Sequence, residues 1–373
     1  MHYQDIALYI HIPFCSKICP YCAFYKKKWD KASEKEFIEG LIKEIDFYQK
    51  KFQNLRLKTI FFGGGTPTIL RVESMGRIFD KLRSIPWVAN CEITMEMNPE
   101  LSHIKKLTNI KQLGVNRVSV GVQSLVDSEL LFLGRGHTSR QCLKALDAIR
   151  ESGIDNLNCD VIFGLPNSSI ENVRETLTRL MVFTPEHIST YNLSIEPGTE
   201  FKRKKQKKAD EELEHSQYTY IISTLNKHGY DHYEVSNFAK PGLQCKHNVV
   251  YWESEPYIGL GPGAHSFFDG IRYHQARDLD KYSTDPTPRV FQQKKKPSYP
   301  LDRQLSDFLM MKLRLKTGVS FEQLNTQFDM DFRKVYDGKL SYMYKNGLIY
   351  EPKEELVVTQ KGWFVLDSLL GEF

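Results

Sequence analysis

Over its first two-thirds the chain alternates short apolar runs with stretches of helical period, and this alternation leaves few folds open. The strand-like runs fall at 7–11, 59–62, 92–97, 117–122, 157–163 and 188–193. Between them lie amphipathic helices. One runs from Ser33, with Ser33 and Glu36 at capping-box spacing and Phe37, Leu41, Ile45, Tyr48 and Phe52 on one face. A second carries Leu107, Ile110 and Leu113 and closes at Gly114; a third carries Leu143, Leu146 and Ile149 and closes at Gly153. Strands separated by helices pair in parallel through right-handed crossovers. The expected class is therefore α/β, as an open doubly wound sheet or part of a barrel. Periodicity leaves both open, and in both the functional loops follow the C-terminal ends of the strands.

The pattern changes after Glu196. Lys202, Arg203, Lys204, Lys205, Lys207 and Lys208 are followed by Asp210, Glu211, Glu212 and Glu214, which reads as a solvated, charge-laced helix start. No aromatic residues interleave the lysines as nucleic-acid binding would want. The net charge agrees, since +5 is what remains of 51 basic and 46 acidic residues. Residues 284–300, rich in Pro, Lys and Gln, read as a linker. Residues 301–373 read as a small, mostly helical, winged-helix-like domain with a hairpin at 348–350 and 356–359. No apolar run is long enough for a transmembrane helix, and the first nine residues lack the features of a signal peptide, so a cytoplasmic location is expected.

Seven cysteines in such a chain do not read as a disulfide framework. Cys142 and Cys159 sit among apolar neighbours and read as small core residues, and Cys91 and Cys245 are also isolated. Cys15, Cys19 and Cys22 are different: they form a C-x3-C-x2-C loop directly after the first strand. A Pro-, Lys- and Tyr-rich loop is a poor core, and thiolates are costly to bury without metal. Three thiolates leave a structural zinc ion one ligand short, unless His11 or a distant residue supplies it. They leave a four-iron cubane with one open iron. A second strand runs into Gly63-Gly64-Gly65-Thr66-Pro67, where backbone can approach a ligand closely and present its N–H groups.

Taken together, the cysteine loop and the glycine turn resemble the radical S-adenosylmethionine (SAM) superfamily. The segments from Leu8 to Cys15, Glu96 to Pro99, Gly121 to Ser124, Gly134 to His137 and Asp160 to Pro166 resemble, more narrowly, the oxygen-independent coproporphyrinogen III oxidase family. This resemblance implies a partial (β/α)6 barrel core at 1–240, a connecting region at 241–300 and the helical domain at 301–373. It implies that Cys15, Cys19 and Cys22 hold a [4Fe–4S] cluster whose open iron chelates SAM, and that an electron donor reduces the cluster so that SAM yields a 5′-deoxyadenosyl radical. Tyr9, Tyr21, Gly64, Gly65, Thr66, Glu96, Gln123, Arg135 and Asp160 match the family's SAM-contacting positions. Their chemistry suits such a ligand, because acids accept from hydroxyl or ammonium groups and Arg135 can pair with a carboxylate.

Two departures point away from the decarboxylase. Phe24 stands where those enzymes carry a further cysteine, and Cys15 lies fourteen residues past the first, so their N-terminal extension is expected to be absent. Both departures, with His247-Asn-Val-Val-Tyr251-Trp252, resemble the family's heme-chaperone subgroup, whose H-N-x-x-Y-W motif is associated with heme. The resemblance implies heme as ligand, with His247 on the iron and Tyr251 and Trp252 shaping the pocket, and an acceptor protein, a heme-dependent respiratory enzyme, as partner. His265, after the glycine-rich stretch 259–263, is a second candidate, for heme or for a structural hydrogen bond. Oxidative decarboxylation of coproporphyrinogen III is the alternative function, and another radical SAM reaction stays open beside it.

Overall fold

The structure, a computed structural model, describes residues 3–292 and 300–371. Six parallel strands, β1 (Gln4–Ile12), β2 (Leu55–Gly64), β3 (Trp87–Met97), β4 (Arg117–Gln123), β5 (Asn156–Phe163) and β6 (His187–Asn192), form the middle of an eleven-stranded sheet. Five more complete it: β7 (Asp231–Glu234), β8 (Asn237–Ala239), β9 (Tyr257–Leu260), β10 (His265–Phe268) and β11 (Ile271–His274). The order is β11-β10-β9-β1-β2-β3-β4-β5-β6-β8-β7. Among the described residues its two edges do not meet, so the barrel is partial and open. All six strand-like runs of the sequence lie within β1–β6, apart from Leu193 just past the end of β6.

The crossovers bury one face of the sheet. Ile6, Leu8, Ile10 and Ile12 of β1 enter a core with Phe37, Ile38, Leu41 and Ile45 of α1 (Lys31–Lys51) and Ile78 and Phe79 of α2 (Val72–Leu82). Each such fully buried side chain contributes about 1.5–3 kcal/mol. Alternation then turns Ala7, Tyr9 and His11 to the concave face. The concave-facing residues of the other strands are largely polar: Thr59, Glu92, Glu96, Arg117, Asn158, Asp160 and His187. That polar interior is where the chemistry lies.

Local signals held in part. Helix α3 (Ile104–Leu113) ends at Gly114 with φ 116°, as expected. The cap of α1 is Asp30 rather than Ser33. The Asp30 carboxylate accepts from Ser33 N (2.9 Å) and Ser33 Oγ (2.7 Å), which makes Ser33 a third-position donor instead of the cap. The lysine-rich stretch is solvated but only partly helical. A short helix spans Glu200–Arg203, Lys205 takes φ 50°, and the next helix starts at Glu211 under an Asp210 cap.

The connecting region carries more structure than a linker. A short helix, Lys246–Trp252, precedes β9, which pairs in parallel with β1; β10 and β11 extend that edge. Phe291 packs against Phe47, Tyr48 and Tyr273, and positions 293–299 of the expected linker lie outside the described residues. Beyond, Leu301–Lys312 and five shorter helices enclose a separate core with Leu309, Leu324, Phe332 and Trp363, alongside a three-stranded sheet that includes Ile349–Tyr350 and Glu355–Val358.

Candidate metal centre and cofactor site

The cysteine loop and the glycine turn lie together at the C-terminal ends of the neighbouring strands β1 and β2. The loop is pinned at its base, where Lys27 N donates to Pro13 O (2.7 Å) and Trp29 N to Cys15 O (3.0 Å). The turn docks on it through Gly65 N to Ile12 O and Thr66 N to Phe14 O, both 2.7 Å. Glycine is required twice here. Gly64 has φ 102°, and a Cβ on Gly65 would stand 2.5 Å from Phe14 O.

All three cysteines are free; Cys15 is buried and the other two half-buried. Burial pushes the Cys15 thiol up to about 11, against a hydrogen bond from Thr66 Oγ1 at 3.8 Å. A thiolate therefore needs a cation here, and the donors around the sulfurs suit one. Arg135 Nη1 reaches Cys19 Sγ at 3.6 Å, and Lys26 Nζ donates to the Cys22 carbonyl. Three free thiols on one loop, with an arginine beside one of them, suit an iron–sulfur cluster held by three thiolates, although among the described residues they do not close into a metal-binding group. His11 is no fourth ligand: its Nε2 donates to Tyr25 O (2.8 Å) and its Nδ1 accepts from the Tyr9 hydroxyl (3.1 Å). Burial lowers its pKa to about 4, so it stays neutral.

Of the expected SAM-contacting residues, Arg135 and Thr66 reach the sulfurs of Cys19 and Cys15, Tyr21 meets Arg135, and Glu96 meets the glycine turn. Glu96 Oε2 accepts from Gly64 N (3.1 Å). Burial, with the Asp160 charge, raises Glu96 to about 8; burial raises Asp160 too, against hydrogen bonds from Asn158 Nδ2 (2.7 Å) and Ser119 Oγ (3.1 Å). Arg135 ties several parts together, donating to Asn98 Oδ1 (2.5 Å), Gly121 O (2.9 Å) and Tyr21 Oη (3.4 Å). Gln123 stands at the end of β4 with φ 66°, an unfavourable conformation for a residue with a side chain. Two half-buried carboxyls, a guanidinium and backbone N–H groups suit a zwitterion carrying an ammonium, a carboxylate and ribose hydroxyls. Asn98 was missed by sequence reasoning. Its Nδ2 donates to Thr66 Oγ1 (3.1 Å) while its Oδ1 receives Arg135, so it bridges turn and guanidinium; its place two residues after Glu96 was the available signal.

His247 lies inside the barrel, against the concave face of β2. It is 1% exposed and stacks on Phe61 with ring centroids 5.0 Å apart, and Tyr9 lies 6.4 Å away. Its Nδ1 is 2.8 Å from Thr59 Oγ1 and its Nε2 2.7 Å from Tyr251 Oη. Burial, with the Arg117 charge, lowers its pKa to about 3. Tyr251 is therefore joined to His247, whereas the Trp252 ring lies 5.7 Å from the Arg314 guanidinium. Glu92, also missed, holds this helix in place: it accepts from Lys246 N (3.1 Å), His247 N (3.0 Å) and Cys245 Sγ (3.6 Å).

Known proteins resemble this chain in sequence and in fold. Residues 9–180 match the family described as Radical SAM superfamily, and residues 299–365 match the HemN C-terminal domain. A protein named heme chaperone HemW from Lactococcus lactis is 31% identical over 98% of this chain and 96% of its own length. The Escherichia coli protein of that name is 32% identical over 99% of this chain and 98% of its own. The chain belongs to the HemW family of radical SAM proteins. Its fold matches the solved E. coli coproporphyrinogen III oxidase (HemN) with a TM-score of 0.84 at 22% identity, over 99% of this chain and 90% of that one. Membership of the superfamily implies a [4Fe–4S] cluster and SAM; such a pair, when bound, would supply the electron for reductive cleavage of the sulfonium. No helix of the described residues is long and apolar enough to cross a membrane.

Proposed function

We propose that this chain is a cytoplasmic heme chaperone. It binds heme and hands it to an acceptor protein, a heme-dependent respiratory enzyme, while Cys15, Cys19 and Cys22 carry [4Fe–4S] with SAM at the fourth iron and an electron donor serves the cluster. The observation that carries this reading is the near full-length relationship to proteins named heme chaperone HemW. Phe24 supports it: this side chain is 62% exposed, where the decarboxylases carry a further cysteine. Tyr9, Tyr21, Gly64, Gly65, Thr66, Glu96, Gln123, Arg135 and Asp160 bind SAM in this reading. His247 ligates heme iron, with Tyr251 and Trp252 bounding the porphyrin. In this structure both His247 ring nitrogens are hydrogen-bonded, Nδ1 with Thr59 and Nε2 with Tyr251, so heme ligation at Nε2 would require the Tyr251 contact to open, while Thr59 could still orient the ring.

The test is an anaerobic hemin titration. His247→Ala keeps iron, sulfide and SAM binding and loses hemin affinity or changes its absorption band; Cys19→Ala loses the cluster. An unchanged band and affinity in His247→Ala removes it as the ligand. Robust decarboxylation of coproporphyrinogen III, given reductant and SAM, would overturn the chaperone reading in favour of the oxidase.

A further inference from the structure

The β10–β11 hairpin carries two histidines that neither the cluster nor the heme site uses. His265 and His274 stand directly opposite each other in the antiparallel register, both exposed, with ring centroids 5.2 Å apart. Directly opposed antiparallel residues hold their Cβ atoms about 4.5–5.5 Å apart, within reach of one shared ion. A metal about 2 Å from one nitrogen of each ring, at a tetrahedral angle, puts two imidazole centroids roughly 5 Å apart. Two imidazoles on opposite sides of one heme iron need roughly 6 Å, with a macrocycle between them. The observed spacing matches the first arrangement.

We propose that His265 and His274 form a two-imidazole chelate for a borderline divalent cation of the Zn2+ class, completed by water. The class follows from the ligands, since imidazole suits Zn, Cu and Ni, whereas Ca and Mg prefer oxygen. A second observation supports readiness. His274 Nδ1 lies 3.0 Å from Gln275 O, a carbonyl that only accepts, so Nδ1 carries the proton and Nε2 presents a lone pair. Metal-binding histidines are commonly fixed in this way. The neighbouring Arg277 and Arg272 weaken any cation's hold, though Arg272 is itself paired with Asp307 (3.1 Å). A bound ion would staple the hairpin at the sheet's edge. The Gly261 turn leading into that hairpin packs on the His11 carbonyl, so the staple would brace this side of the barrel mouth.

The experiment uses the full chain with its cluster loaded anaerobically, so that Cys15, Cys19 and Cys22 do not compete. ZnCl2 is titrated by calorimetry, and Tm is recorded with and without it. Expected is one Zn2+ per chain and a raised Tm. His265→Ala and His274→Ala should each weaken binding by roughly tenfold or more, with little further loss in the double variant. His247→Ala should leave it unchanged. No saturable uptake in the parent, or parental affinity retained in either single variant, overturns the proposal. Both histidines are exposed, so the variants are expected to fold, and retained iron content verifies it.

Discussion

Glu92→Ala tests whether one buried carboxylate sets the position of the helix Lys246–Trp252 inside the barrel. In the parent this carboxylate accepts two backbone N–H groups, from Lys246 at 3.1 Å and His247 at 3.0 Å, and the Cys245 thiol at 3.6 Å. Removing it strands two donors, each costing about 1–3 kcal/mol when left unpaired. Arg117, 2% exposed, loses a nearby negative charge as well, and its Nε has no hydrogen-bond partner among the described residues. The sum is roughly 2–6 kcal/mol before the charge term. At the roughly 1.3 °C per kcal/mol expected for a chain of this size, Tm falls by about 3–8 °C. The damage should be local. Hydrogen exchange followed by mass spectrometry should show faster exchange at 246–252 while the cysteine loop keeps its protection and iron content is unchanged. Equal exchange at 246–252 in Glu92→Ala and parent, with Tm within a degree or so, would refute the clamp.

Two further predictions concern the cofactor end. Gly65→Ala places a Cβ 2.5 Å from the Phe14 carbonyl, a backbone contact that cannot swing aside, so Cys15 must move; reconstituted iron and sulfide per chain should fall well below the parent's, and equal loading would contradict this. Glu96 holds its proton up to about 8 in the folded chain, against an ordinary value of 4.5. The folded state therefore binds more protons between those values, and stability without SAM should fall as pH rises through that window, then level off. Glu96→Gln should flatten the Tm-against-pH curve over that range; an unchanged slope would assign the effect to other groups.

Much of this organisation was legible locally. Strand positions follow from runs of β-branched and apolar residues, and the helix stop at Gly114 from the one residue type that takes positive φ without strain. The three thiolates and the glycine turn declared themselves because closely spaced thiols and adjacent glycines are each hard to explain as packing. The Asp30 cap was misread because the motif at Ser33 was plausible by spacing, and only the folded chain shows which oxygen reaches the free N–H groups. Asn98 went unnoticed because its value lies in bridging Thr66 and Arg135, residues that meet only when three strand ends converge.

By itself the sequence determined the α/β class, the six parallel strands, the cysteine loop after the first of them and the separate helical C-terminal part, since each rests on signals a few residues long. Tertiary structure alone decided that 257–274 adds three strands beside β1, that His247 sits beside Thr59 and Phe61 within the barrel, and that His265 faces His274. The first two join segments nearly two hundred or more residues apart. Such pairings depend on which hydrogen-bonding edges and polar groups remain unsatisfied once the local elements have formed, and a buried carboxylate such as Glu92 finds its partners only there.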